Sequence, residues 1–344
     1  MPEGLLKYLM YGDTVAIQCG LALMVGGLAS MLWLRRAASA WAQHVVRVSR
    51  HSFIGGVLVA FIASAAALWF QAAAMGDGSV LSAGSMVPMM VGDTHYGHAW
   101  SIGIIALVIA GIAVVALRHF RMLVAGLGMA VFILTRSIVS HAAVDGDFTL
   151  TVAVDWLHLL LVCLWVGMVL LGAFVALQRP PQNQSDAADS ATWVSSLSTT
   201  ATIALACILL TGLQKVWWAT PSIGQLLAST YGVILLVKLL LVGAAIVLGG
   251  INRLFVLPPL LIGLRNLARP GAALHRQFVR VLRIEAVVLL LVLVAAAVLS
   301  GTPAPGEGQV PLASPGINSD PEIPMKSTLS TLALGTSTAN PAFL

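Results

Sequence analysis

The sequence predicts an all-α polytopic membrane protein, a bundle of about eight transmembrane helices. Three observations carry this. First, 59% of the 344 residues are hydrophobic and only 9% are charged, whereas a soluble domain carries roughly a quarter charged residues. Mean hydropathy is +0.95. Second, the apolar residues gather into eight runs of the length a bilayer core demands, about 20 helical residues each. Third, the arginines fall in alternate connections between those runs. This composition excludes an ordinary cytosolic enzyme, a nucleic-acid binder and a disordered chain. The net charge of +5 does not imply an anionic partner, because in a membrane protein basic loops report orientation.

The runs occupy residues 13–34, 53–74, 99–117, 121–140, 152–177, 197–218, 231–251 and 283–300, within a membrane domain of residues 1–300. The first is too long for a signal-peptide core and no basic segment precedes it, so it is expected to stay as an anchor. Arg35, Arg36, Arg47 and Arg50 lie between the first and second runs, Arg118 and Arg121 between the third and fourth, and Arg179 after the fifth. The connection before the last run holds Arg253, Arg265, Arg269, Arg276, Arg280 and Arg283, which brings 13 of the 14 arginines to one side. That side is expected to be cytoplasmic, with both termini periplasmic. Asp77, Asp93, Asp145 and Asp147 fall on the other side. Residues 252–282 are too polar to span and Pro258-Pro259 is expected to break them, giving a cytoplasmic interfacial segment. Residues 301–344, rich in Pro, Ser, Thr and Gly, read as a disordered periplasmic tail.

Ionisable groups inside a bilayer are costly and therefore functional candidates. They are Asp13, Arg136, Asp155, His158, Lys215, Lys238 and Glu285. Asp155 and His158 are three apart, on one helix face. A short loop joins His141 to the span holding His158, so antiparallel packing brings the two to similar depth. The loop between spans two and three adds Met75, Met86, Met89, Met90, His95 and His98. These residues are expected to converge at the outer mouth, and imidazole with thioether ligands favours copper over magnesium or calcium. Other roles stay open at each position. His158 reads either as a ligand or as an interhelical hydrogen-bonding histidine. Asp155 reads either as a ligand or as the partner of Lys215 or Arg136. The loop methionines read either as ligands or as packing. Lys238 and Glu285 enter from opposite sides and need not meet. Cys19, Cys163 and Cys207 lie in apolar runs without CxxC spacing, as small buried hydrophobes do. Cys163 is expected to point away from His158.

Ser140-His141-Ala142 closes the fourth span, and His158-Leu159-Leu160 precedes Leu164-Trp165-Val166-Gly167 in the fifth. Thr211-Gly212-Leu213, Tyr231-Gly232, Leu235-Leu236-Val237-Lys238 and Asn252-Arg253 follow in order. Arg280-Val281-Leu282-Arg283-Ile284-Glu285 leads into the last span, which ends Ser300-Gly301-Thr302-Pro303. With these strings on eight spans, the chain resembles the CopD family of bacterial copper-resistance inner-membrane proteins, most clearly over residues 120–303. The resemblance implies copper movement from periplasm to cytoplasm and places family histidines at His141 and His158. It also implies a periplasmic CopC-like copper carrier. Neither terminus shows a segment of β-sandwich size, so such a carrier is expected to be a separate protein.

The reading that follows has copper captured by His95, His98 and the methionines and passed to His141 and His158, with Asp155 as ligand or orienter. Membrane lipid and copper are the expected partners, and no ATP is required, in keeping with the missing GxxxxGK[ST] motif. No nucleophile–base arrangement or HExxH motif points to an enzyme. A second class is a transmembrane di-haem b-type electron carrier, with haem held by His141 and His158 and by His51 and His119. A third is a non-transporting membrane partner of the periplasmic carrier.

Overall fold

Apolar helical segments bury their backbone polar groups in their own hydrogen bonds, the only open-chain solution inside lipid. The structure, a computed structural model, describes residues 3–76, 79–117, 119–219, 229–265 and 272–303. Its regular structure within them is all helical, with no strand. Ten helices follow in order: α1 (Glu3–Trp33), α2 (Ala40–Met75), α3 (Val87–Asp93), α4 (His95–Ala116), α5 (Arg121–Ile138), α6 (Leu150–Phe174), α7 (Gln184–Ala219), α8 (Thr230–Ile251), α9 (Leu257–Arg265) and α10 (Ala272–Ser300). Eight of the helical segments are long and apolar enough to cross a membrane, with α8 and α9 acting as one. The expected polytopic α-bundle is thus what forms. Asp77, Arg118, Arg269 and the tail from residue 304 lie outside the described residues.

Several helices begin earlier than their apolar runs, because the turns ahead of them are well capped. Ser39, Thr94, Thr149 and Ser229 each accept a hydrogen bond from a backbone N–H in the first turn of α2, α4, α6 and α8. Such caps contribute about 1 kcal/mol each. The larger departure is at residues 252–265. Pro258-Pro259 does not break the chain. Helix α8 passes through a π-helical turn, Asn252–Val256, straight into α9. Proline is tolerated in the first turn of a helix, where its missing N–H has no partner to lose, and the wide turn supplies a new first turn. Val256, Leu257, Leu260 and Leu264 bury one face of this extension in the main core.

The centre of the bundle is α1, wrapped by α2 and α6. Close approach needs small residues. A Cβ on Gly20 would stand 2.8 Å from the Gly56 carbonyl oxygen, across α1 and α2. A Cβ on Gly167 would overlap the Ala22 carbonyl, across α1 and α6. These two crossings therefore run backbone to backbone.

The arginine-bearing ends share one end of the bundle. Trp193 is fully buried there, donates to Ser30 Oγ at 3.1 Å and meets Trp33 and Trp41 edge to face. Asp186, also buried, accepts from the backbone N–H groups of Trp41 and Gln182 at 2.9 and 3.1 Å. Arg50 donates to the Val115 carbonyl, Arg283 to the Gln178 side chain, and Arg253 to Ser198 and Thr202.

Candidate functional site

Helices α6 and α7 are consecutive and antiparallel. Spacings of three on α6 (Asp155, His158) and four on α7 (Thr211, Lys215) therefore put two polar pairs side by side. Asp155 Oδ1 forms an ion pair with Lys215 Nζ. His158 Nδ1 lies 2.8 Å from Thr211 Oγ1. His158 is eight residues into α6, about 12 Å along its axis, so this pair is inside the span.

Thr211 Oγ1 lies 2.7 Å from the Cys207 carbonyl and 3.2 Å from that of Ile208. With its hydrogen given to either, it accepts from the imidazole. Nδ1 of His158 is then the donor, and Nε2 carries the lone pair that a metal ion requires. The ring lies against Gly212, where an added Cβ would meet Cε1 at 3.5 Å. A longer side chain there would push the imidazole off its acceptor. Lys238, half-buried on α8, is close enough for its charge to act on both His158 and Asp155. One end of α6 thus faces a polar group of Asp155, His158, Thr211, Lys215 and Lys238 drawn from three helices.

The remaining candidates lie apart from one another. His95 pairs with Asp147 at 2.8 Å across the α4 start and the α5–α6 connection, well exposed. His98 Nε2 lies 2.9 Å from the Gly92 carbonyl. His141 is exposed in a single 3-10 turn (His141–Ala143). Met86 is half-buried and Met89 exposed. Met90 is buried among Leu68, Ala72, Ala73 and Ala83, where its thioether packs as a core side chain. Among the described residues, no three His, Cys, Asp or Glu side chains are grouped closely enough to hold a metal ion. The convergence expected of His95, His98, His141, Asp155 and His158 is therefore not assembled here. His51 and His119, the second pair of the di-haem reading, are both exposed.

The other intramembrane charges find separate surroundings. Arg136 is near enough to Asp13 on α1 to act on its charge. Glu285 is buried on α10, takes a hydrogen bond from Trp165 Nε1 at 3.3 Å and lies against Gly249. It does not meet Lys238. Cys163 is buried in the core beside α1, turned away from His158.

Thr211 and Trp165 are the partners that sequence reasoning did not assign. A threonine in an apolar run has no distinguishing mark. Its four-residue spacing from Lys215 is the one signal that places it beside the charge.

The fold and this cluster define a multi-pass α-helical membrane protein with a polar group sunk between its spans. The chain also matches two family models, Copper resistance protein D over residues 191–299 and Copper resistance protein D-like, N-terminal domain, over residues 8–150. It is 28% identical over 302 residues to copper resistance protein D of Pseudomonas syringae pv. tomato, covering 84% of this chain and 93% of that protein. It is 27% identical over 305 residues to copper transport protein CutJ of Bacillus subtilis (strain 168), covering 86% of this chain. The chain spans about half of that relative's length, 53%. No solved structure matches. The chain belongs to the CopD family of copper-resistance proteins.

Proposed function

We propose that this protein handles copper in the bacterial inner membrane and moves it from periplasm to cytoplasm, both termini being periplasmic. The single observation that carries the site is the His158 imidazole, held by Thr211 at 2.8 Å inside the span and beside Asp155 on one helix face; in our reading its Nε2 takes the metal. The copper named for both relatives supplies the cargo.

His95, His98 and His141, with Met86 and Met89, are the rim that first takes the ion. Asp155 is the second ligand, and Lys215 is its counter-ion while copper is absent. A cation reaching His158 competes with Lys215 for the same carboxylate. The ammonium is the more mobile partner, with 41% of its side chain exposed against 13% for Asp155. Inward movement of one positive charge gains about 2.3 kcal/mol per 100 mV of inside-negative potential, so entry needs no nucleotide. A CopC-like carrier delivers the ion at the rim.

The test is copper content and affinity of the detergent-purified protein beside His158→Ala, with a visible spectrum on the same samples. Wild type binds copper and the variant loses high-affinity binding. Equal affinity and stoichiometry in the variant would discard the site, and a haem band would replace the whole reading with electron transfer.

A further inference from the structure

At the arginine-rich end, the α1–α2 turn and the start of α5 line an open hollow of about 340 Å³. Arg35, Arg47, Arg50 and Arg121 line it. Met31, Leu34, Val46 and Met122 supply an apolar wall. Like charges gathered around one hollow repel each other and call for an anion. Among the described residues no carboxylate lies within ion-pair distance of these four guanidinium groups. The buried acid of this end, Asp186, is committed to backbone N–H groups.

Arg50 adds an independent observation. Its Nη2 donates to the Val115 carbonyl at 3.1 Å, at the end of α4. Such terminal carbonyls have no partner within their own helix, so this bond fixes the guanidinium plane. Its Nε is buried and has no acceptor among the described residues. Nε is thereby out of reach of a ligand, and the remaining guanidinium N–H groups of Arg50 are those an anion in the hollow would meet.

We infer that this cavity binds the phosphate of an anionic phospholipid headgroup, the acyl chains leaving along the apolar wall. A free phosphate shares the charge but has no use for that wall. The lipid is the source that matches both surfaces, and the hollow lies at the ends of α1, α2 and α5. Basic pockets between transmembrane helices are suited to such headgroups.

The experiment is native mass spectrometry and thermal unfolding of the full chain in detergent, titrated with phosphatidylglycerol, phosphatidylethanolamine or inorganic phosphate. Phosphatidylglycerol is retained and raises the unfolding temperature, while the other two do neither. Arg47→Gln with Arg121→Gln weakens phosphatidylglycerol binding about 30-fold, from about 1 kcal/mol per arginine. Arg36→Gln, on the same connection but outside the cavity, leaves it unchanged. Where the double variant does not purify, Arg121→Gln alone gives about a fivefold loss. An equal loss in Arg36→Gln would reduce the effect to general surface charge and overturn the site. Stabilisation by inorganic phosphate alone would overturn the lipid assignment.

Discussion

Replacing Thr211 by Val tests the proposed copper site without touching a proposed ligand. Valine keeps the branched shape and removes the hydroxyl. What is lost is the acceptor for His158 Nδ1–H, now at 2.8 Å. The Cys207 carbonyl, 2.7 Å from the hydroxyl, keeps its place in the α7 ladder. Two consequences follow. A part-buried N–H without its partner costs about 1–3 kcal/mol of stability. The imidazole is also freed to rotate or to change tautomer, and loss of such an orienting bond typically lowers metal affinity 10–100-fold. The carbonyl of Ile208, close enough to hydrogen-bond the same ring, offers a substitute acceptor, so we expect about tenfold. The assay is a competitive copper titration of wild type, Thr211→Val and Thr211→Ser in detergent. Serine restores the hydroxyl and is expected to bind as wild type does. Wild-type affinity in the valine variant would refute the argument that Thr211 sets the state of His158.

Two further outcomes concern the fold and the ion pair. Lys215→Met leaves Asp155 without its ion-pair partner and lowers stability by about 1 kcal/mol after allowing for the exposure of the lysine, read as a lower unfolding temperature. Asp155→Asn combined with Lys215→Met recovers most of that loss, and simple additivity of the two changes would show that the pair is not coupled. Gly167→Val forces a side chain into the Ala22 backbone and costs about 1–3 kcal/mol or prevents folding. Gly55→Ala, where nothing lies within 4 Å of the added Cβ, is the control. Equal behaviour of the two on size exclusion and thermal unfolding would contradict the backbone contact.

The bundle was legible in the sequence because bilayer thickness imposes a minimum apolar length, and eight runs meet it. Helix starts were less legible. Residues 184–196 are polar enough to look like a loop, yet they form the first turns of α7, with Asp186 and Trp193 facing inward. Pro258-Pro259 misled for a related reason: local propensity marks a break, while the π turn before it resolves the clash. At the site, helical spacing placed Asp155 with His158, and Lys215 was already a possible partner. Convergence with His95, His98 and His141 rested on chain proximity alone. Loop distance bounds where a residue can reach but not where it goes: His95 turned to Asp147. Met90 has the residue type of a copper ligand and the surroundings of a core side chain, which only packing distinguishes.

The glycine crossings have a mechanical consequence. Where Gly26 and Gly167 bring α1 and α6 backbone to backbone, no side chain is left to act as a bearing, and neither helix can slide without collision. With α2 held to α1 by Gly20 and Gly56, the three form a stator. Helix α8 is the least enclosed of the spans and α7 the next, so these two are held by less protein contact than the three at the centre. The polar group formed by His158 with Thr211 and Asp155 with Lys215 lies on the seam between the two parts. Any shift of α7 along α6 would make or break both bonds together.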